Sequence, residues 1–343
     1  LKTVTLSISS FKTWSKQPAA GRVAKFFVFP LLAILCILIV QHFWLKGLRQ
    51  YRTLDLGTFS KAVSGKINAD ILVFGSSRAQ HHFDPRIISR FTNKSAYNIG
   101  LDGTGIDLQA AWFFTYLRHN QKPEFLILSL DIPNLARKLD SSVYHPGQYV
   151  AYLNEPDLFL ALKQHGAEWS LYKNFPFIGI AKFISPLTSG NEQLRYEATR
   201  SLLKSPLPES LLSGFAAVDK NWTAEFDDYK KQHPSGVTYE IYPENIQTIR
   251  AVLMRCKQSG IKPILVYSPE YYENQLLTNN RRDIFIIYGG IAKDFNVPFW
   301  DYSDSMISHD KGNFYNSQHL NVRGASRFTE DLALRLQAVI QTD

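Results

Sequence analysis

The feature that most constrains this chain is the run FFVFPLLAILCILIVQHFWL from Phe26 to Leu45, twenty residues without a formal charge. As a helix rising about 1.5 Å per residue, such a run is roughly 30 Å long, the thickness of a bilayer's hydrocarbon core. A buried helix of a soluble protein would keep a polar stripe. This one is apolar nearly all round, with Gln41 and His42 only near its end. A cleaved signal peptide would have a shorter apolar region and small residues at its end, whereas this run closes on His42, Phe43, Trp44 and then Lys46. The sequence therefore predicts an uncleaved, single-pass anchor over residues 26–45, preceded by a basic segment (residues 1–25) and followed by a connector (residues 46–68).

Charge follows the same division. The chain carries 38 Lys and Arg against 30 Asp and Glu, net +8. Lys2, Lys12, Lys16, Arg22, Lys25, Lys46, Arg49 and Arg52 all precede the first acidic residue, Asp55, and these eight equal the whole excess. The basic balance thus belongs to the membrane flanks and gives no reason to expect nucleic-acid binding. More basic residues lie before the run than just after it. This asymmetry favours a cytoplasmic N-terminus and a domain on the outer, periplasmic side of the cytoplasmic membrane. Cys36 lies within the run and Cys256 stands alone in the rest of the chain, so no disulfide is expected inside the domain.

Beyond the connector, Asp70-Ile-Leu-Val-Phe-Gly75 has the composition of a parallel strand buried on both faces. Further strands are expected at Ala96 to Ile99, Phe125 to Leu130, Pro263 to Ser268 and Val297 to Trp300. Helical patterns at Ile106 to His119, Glu244 to Ser259 and Arg281 to Asp294 separate them. This alternation predicts an α/β domain over residues 69–343, a parallel sheet with helices on both faces. Between about 134 and 240 the alternation fails. A loop of that length is improbable in a compact domain, so a helical insertion is expected, with helical patterns at Glu155 to Lys163 and Gln193 to Leu203. Apolar residues at helical spacing from Ala325 to Ile340 predict a closing amphipathic helix.

Two short constellations carry chemistry. Gly75-Ser76-Ser77-Arg78 follows the first strand directly, where a tight turn would present a hydroxyl at the carboxyl edge of the sheet, the usual ligand site of open α/β folds. Asn316-Ser-Gln-His319-Leu-Asn321 delivers a histidine just before the closing helix. Taken singly, the serines read as helix caps and the histidine as a surface residue. Taken together, a nucleophile and a base far apart in sequence can meet at one sheet edge.

At these residues the sequence resembles the SGNH or GDSL hydrolases, whose first block is Gly-Asp-Ser after strand one and whose last is Asp-x-x-His before the final helix. The resemblance implies a three-layer, flavodoxin-like fold with Ser77 as nucleophile, His319 as base and Asn316 in the place of the acid. Tyr97-Asn98-Ile99-Gly100-Leu101-Asp102-Gly103 is similar to the family's oxyanion block. It implies backbone donors at Ser77 and Gly103, with Gly100 as second choice. Ser129-Leu130-Asp131-Ile132-Pro133-Asn134 departs from the family's Gly-x-Asn-Asp text and leaves open whether Asn134 donates to the oxyanion or Asp131 orients the site. Asn316 departs too, since it lacks the charge of Asp, and Asp301, Asp304 or Asp310 is a possible substitute acid. His81 and His82 read as surface or helix-start residues, and Arg78 as solvated or ion-paired. The cluster Trp169, Tyr172, Phe175 and Phe177 reads as the insertion's own core, with sugar stacking as the alternative. No spacing points to a metal, and no cofactor is implied.

Membrane-tethered proteins of this kind resemble those that acylate cell-envelope polymers, such as alginate or teichoic acids. The resemblance implies transfer of an acetyl-type group to a polysaccharide beside a membrane-bound O-acyltransferase partner. A carbohydrate esterase and a non-catalytic assembly or glycan-binding protein are the alternatives.

Overall fold

The computed structural model describes residues 19–50, 54–138, 142–184, 195–196, 199–200 and 213–342. Residues 1–18 of the basic segment, and most of the helical pattern expected at Gln193 to Leu203, lie outside the described residues.

Five strands form one sheet: β1 (Ile71–Phe74), β2 (Ala96–Asn98), β3 (Phe125–Leu130), β4 (Lys262–Tyr267) and β5 (Phe299–Asp301). All neighbours pair in parallel, in the order β2-β1-β3-β4-β5. The α/β fold with a parallel sheet is as the alternating pattern predicts. Because side chains alternate along a strand, each strand serves two cores. Leu72, Phe74, Leu126, Leu128 and Leu265 point to one face, covered by the helices Leu54–Val63, Ile106–His119, Pro243–Ser259 and Arg281–Phe295. Ile71, Val73, Ile127, Ile264 and Val266 point to the other, under the helices Ser77–His82, Pro85–Thr92 and Val322–Thr342. The last of these buries Ala325, Phe328, Leu332 and Leu336, its apolar stripe, against the sheet. Each large apolar side chain so buried contributes about 1.5–3 kcal/mol.

The chain leaves β1 toward β2 on one side and later crosses back to β3 on the other. The strand order therefore reverses between β1 and β3, and a crevice opens at their carboxyl ends. Gly75 makes the turn there. Its φ is +152°, and a Cβ would stand 2.8 Å from the carbonyl oxygen of Ser129 on β3.

The apolar run lies in the helix Ala19–Gln50, whose portion Phe27–Gln50 is long and apolar enough to cross a membrane. Side chains from Phe27 to Val40 are exposed, but Leu48 is fully buried, and Trp44 and Leu45 pack on the core. Arg49 Nε donates to the carbonyl of Ala151 at 3.0 Å. The stretch expected as a connector contains the helix Leu54–Val63, whose Phe59 is buried against Trp112 and Tyr152 with ring centroids 4.1 and 5.3 Å away. Described parts of the insertion include a 3₁₀ segment (Pro146–Tyr152) and the helices Pro156–Gln164, Glu168–Asn174 and Pro176–Ile184. Trp169 and Tyr172 are buried and pack on Tyr149 and Phe183, so they form the insertion's core, whereas Phe175 is exposed.

Since Gly75 combines a positive φ with contact to β3, Gly75→Ala should cost about 2 kcal/mol or more and lower Tm by on the order of 5 °C. An unchanged Tm in a thermal melt would contradict that constraint.

Candidate active site

Ser77 is the first residue of the six-residue helix that follows β1, capped by Ser76, whose Oγ accepts the Arg78 N–H at 3.3 Å. The N–H of Ser77 is among those a helix leaves without an intrahelical acceptor. Its hydroxyl lies 2.8 Å from His319 Nε2. His319 Nδ1 in turn faces Asn316 Oδ1 at 3.0 Å. Asn316 Oδ1 also accepts the backbone N–H groups of Gln318 and His319, at 3.0 and 2.9 Å, which fixes the amide with its oxygen toward the ring. That oxygen can only accept, so Nδ1 carries the proton and Nε2 is left to accept from the Ser77 hydroxyl. The structure thus assembles serine, histidine and asparagine in the order in which a nucleophile, a base and its orienting group must stand.

Burial, with the nearby charges of His81 and Arg78, depresses the His319 pKa to about 3. Among the described residues, no carboxylate is bonded to the ring to counter this. Asp301 accepts from the N–H and hydroxyl of Ser303. Asp304 is fully exposed, 3.7 Å from His309. Asp310 caps its own turn through Gly312 N–H and pairs with Arg323 and Arg327. Short local bonds of this kind are what Asp makes in turns, and none of the three is bonded to His319 among the described residues.

Gly103 lines the crevice with φ +64°, and the Tyr144 ring lies where its Cβ would be. Its carbonyl accepts from Arg137 Nη1, and Gly103 and Ser77 both line the crevice. The second-choice donor is committed elsewhere, since Gly100 N–H donates to Asn98 Oδ1 at 2.8 Å. Asn98 is fully buried and also donates through Nδ2 to the carbonyls of Ala79 and Phe83, at 2.7 and 2.9 Å. One asparagine side chain therefore ties the Ser77 helix to the Gly100–Gly103 turn.

Asn134 corrects an expectation. It is fully buried and turned inward, its Nδ2 donating to Gln109 Oε1 at 3.0 Å and its Oδ1 accepting the Asp131 N–H at 2.6 Å. Gln109 continues the chain to the carbonyl of Thr104 at 2.9 Å, so Asn134 braces the turn and does not reach an oxyanion. Asp131 does line the crevice. It accepts from the Ser76 hydroxyl and from Asn134 N–H, and burial raises its pKa.

The crevice holds about 130 Å³, and its floor is charged. Arg78 is buried over the Tyr267 ring, donates to Ser268 Oγ at 3.1 Å and lies 3.8 Å from Glu270. Glu270 is itself buried and accepts from Arg281 at 2.5 Å and from the Tyr267 hydroxyl at 2.7 Å. Of the two alternatives expected for Arg78, solvated or ion-paired, the structure has the second, in the protein interior.

His82, expected at the surface or at a helix start, closes the helix Ser77–His82 and is fully buried. Its Nε2 accepts the N–H of Leu320 at 3.0 Å, so its Nδ1 is the protonated nitrogen and donates to Ser268 Oγ at 2.8 Å. Leu320 directly follows His319, and His82 therefore anchors the His319 loop to the Ser77 helix. Their four-residue spacing puts Arg78 and His82 on one helix face, but the sequence does not say which way that face turns. Adjacent His81 takes a different direction, its Nδ1 lying 2.8 Å from the Ala216 carbonyl.

Comparison with known proteins adds the following. No family model matches the chain. A stretch of 110 residues is 30% identical to callose synthase 4 of Arabidopsis thaliana, covering 31% of this chain and only 6% of that one. Among solved structures, similarity extends to a candidate acylhydrolase of Bacteroides fragilis (12% identity, TM-score 0.37, 79% of this chain and 86% of that one). It extends also to a candidate lipolytic protein of the G-D-S-L family from Desulfitobacterium hafniense (11%, 0.37, 78% and 98%). A third is a GDSL-like lipase of Bacteroides thetaiotaomicron (12%, 0.34, 80% and 88%). What fold and site together define is an α/β protein with a serine–histidine–asparagine array at the carboxyl edge of a parallel sheet.

Burial, together with Arg78 and the neighbouring histidines, holds the His82 pKa well below its ordinary value, so the folded protein keeps it neutral. The unfolded chain binds that proton as pH falls below about 6.5, and the stability it supports is then lost at up to about 1.4 kcal/mol per pH unit. His82→Gln should be less stable at pH 7 and show a shallower decline between pH 7 and pH 5 in urea denaturation. Equal slopes would mean that His82 titrates alike in both states.

Proposed function

We propose that this chain is a membrane-anchored serine acyl-ester enzyme of the SGNH/GDSL hydrolase type, acting outside the cytoplasm on a cell-envelope or exported polysaccharide. The observation that carries the reading is the 2.8 Å contact between Ser77 Oγ and a His319 whose other nitrogen is oriented by Asn316. Ser77 gives its proton to His319 Nε2 as Oγ attacks the ester carbonyl. The N–H groups of Ser77 and Gly103 receive the oxyanion. Collapse expels the alcohol, which takes the proton from His319, and leaves the acyl group on Ser77. An acceptor hydroxyl then attacks the acyl-enzyme by the same steps in reverse. A sugar hydroxyl makes the protein a transferase, the role we favour, with a membrane-bound O-acyltransferase as source of the acyl group. Water makes it a carbohydrate esterase.

A non-catalytic assembly or glycan-binding role draws on one specific observation, Asn316. An amide does not stabilise the imidazolium that forms in the transition state as a carboxylate does.

Two experiments separate these readings. Fluorophosphonate treatment of the purified full-length chain should add one phosphonyl group by intact mass, lost in Ser77→Ala and in His319→Ala. Absence of an adduct on folded protein would favour the non-catalytic role. Asn316→Asp should raise the rate of acylation by p-nitrophenyl acetate, by less than the roughly 10⁴-fold that applies where asparagine also imposes the wrong tautomer. It should also move the acid limb of the pH profile upward, because His319, depressed to about 3, gains a charged partner that favours its protonated form. Unchanged rate and profile would show that the ring does not act as base.

A further inference from the structure

We infer that the domain is seated in the bilayer surface beside its anchor, through a stripe of the insertion formed by Leu171, Phe175 and Ile178 that contacts phospholipid. The inference rests on the reading of the apolar helix as a membrane span.

Gln41 sets the depth. Lys25 and Lys46 bracket the apolar run, and the helix rises about 30 Å between them, a bilayer's hydrocarbon thickness. Gln41 stands five residues inside Lys46, about 7.5 Å toward the lipid. A polar side chain at that depth requires a partner. It has one in the domain: Phe177 N–H donates to Gln41 Oε1 at 3.0 Å. That N–H belongs to the first turn of the helix Pro176–Ile184, which would otherwise lack an acceptor. The start of this helix is thereby fixed at the level of the acyl boundary.

The side chains at that level are apolar and uncovered. Leu171, Phe175 and Ile178 are 43, 58 and 39% exposed. Phe175, the non-helical residue between the two helices, joins the other two: its N–H donates to the Leu171 carbonyl at 2.8 Å and its carbonyl accepts the Ile178 N–H at 2.9 Å. Cations flank them: Lys173, whose ammonium lies over the Phe159 ring, Lys182, which donates to the Tyr172 hydroxyl, and Lys46 on the anchor itself. An apolar stripe bordered by lysines fits acyl chains below and anionic phosphates above. The anchor's end does not behave as a loose tether, since Leu48 is fully buried in the domain core and Arg49 is bonded to Ala151.

The test uses the full-length chain with Cys36→Ala, leaving the buried Cys256, in nanodiscs of phosphatidylcholine and phosphatidylglycerol without other protein. Single spin labels are placed by Phe175→Cys, Ile178→Cys, Leu35→Cys as a probe of the span, and Met306→Cys, 83% exposed, as a water reference. Collision with oxygen should exceed collision with a nickel chelate at 175, 178 and 35, and the ratio should reverse at 306. Lipid-like behaviour at 35 with water-like behaviour at 175 and 178 would overturn the seating while leaving the span intact. Water-like behaviour at 35 would overturn both. Thermal melts equal to the parent's confirm that each labelled chain is folded.

Discussion

The hydrogen bond from Ser77 to His319 joins residues 242 positions apart, and most of the buried polar structure at the sheet's carboxyl edge exists to keep its two ends in register. On the serine side, Gly75 turns the chain off β1 close against β3, and Asn98 clamps the helix that follows to the turn carrying Gly103. On the histidine side, His82 reaches out of that same helix to hold the N–H of Leu320. Neither end is a free loop. Thr329 extends the linkage into the closing helix, its hydroxyl lying 2.9 Å from the His82 carbonyl. Buried networks whose members are all satisfied specify one arrangement, because any alternative leaves polar groups without partners in a low dielectric.

Asn316 gives this array its particular electrostatics. Its oxygen orients the imidazole and selects the tautomer that leaves Nε2 free to accept, as an aspartate would. It supplies no negative charge to oppose the burial and the neighbouring His81 and Arg78 that hold His319 in its neutral form. In the proposed reaction the base is thus always in its accepting state, while the imidazolium it becomes is poorly stabilised. The two buried carboxylates of the crevice, Asp131 and Glu270, are occupied by Ser76 and by Arg281 with Tyr267, and do not relieve this.

The sequence was informative where a physical period or a strong local constraint acts over several residues. The strand Phe125–Leu130 and the helix Ile106–His119 stand at the expected bounds, the other strands within a residue or two, and the long apolar helix is plain from composition. Ser77 and His319 were legible because each sits at a boundary between elements, where sheet topology dictates what can meet. Side-chain direction was not legible. Asn134 and His82 turn inward because the buried donors of Asp131 and Leu320 need acceptors, a demand created only by the fold. Nor could spacing decide among Asp301, Asp304 and Asp310, whose bonds to their own turns are settled by local backbone geometry. The helix Leu54–Val63 was underestimated because its apolar contacts, Phe59 to Trp112 and Tyr152, come from distant segments.

The same stretch of chain connects the apolar helix and the crevice. The Pro146–Tyr152 segment packs against the end of the anchor helix, while Tyr144, two residues before it, covers Gly103 in the crevice. A surface-seated domain would therefore hold its crevice in a fixed relation to the bilayer. The most direct measurement of the central claim is a crystal structure of the fluorophosphonate-treated protein. The account predicts a covalent bond from phosphorus to Ser77 Oγ, with the phosphoryl oxygen within hydrogen-bond distance of the N–H groups of Ser77 and Gly103. Attachment to another residue, or an oxygen directed away from both donors, would contradict it.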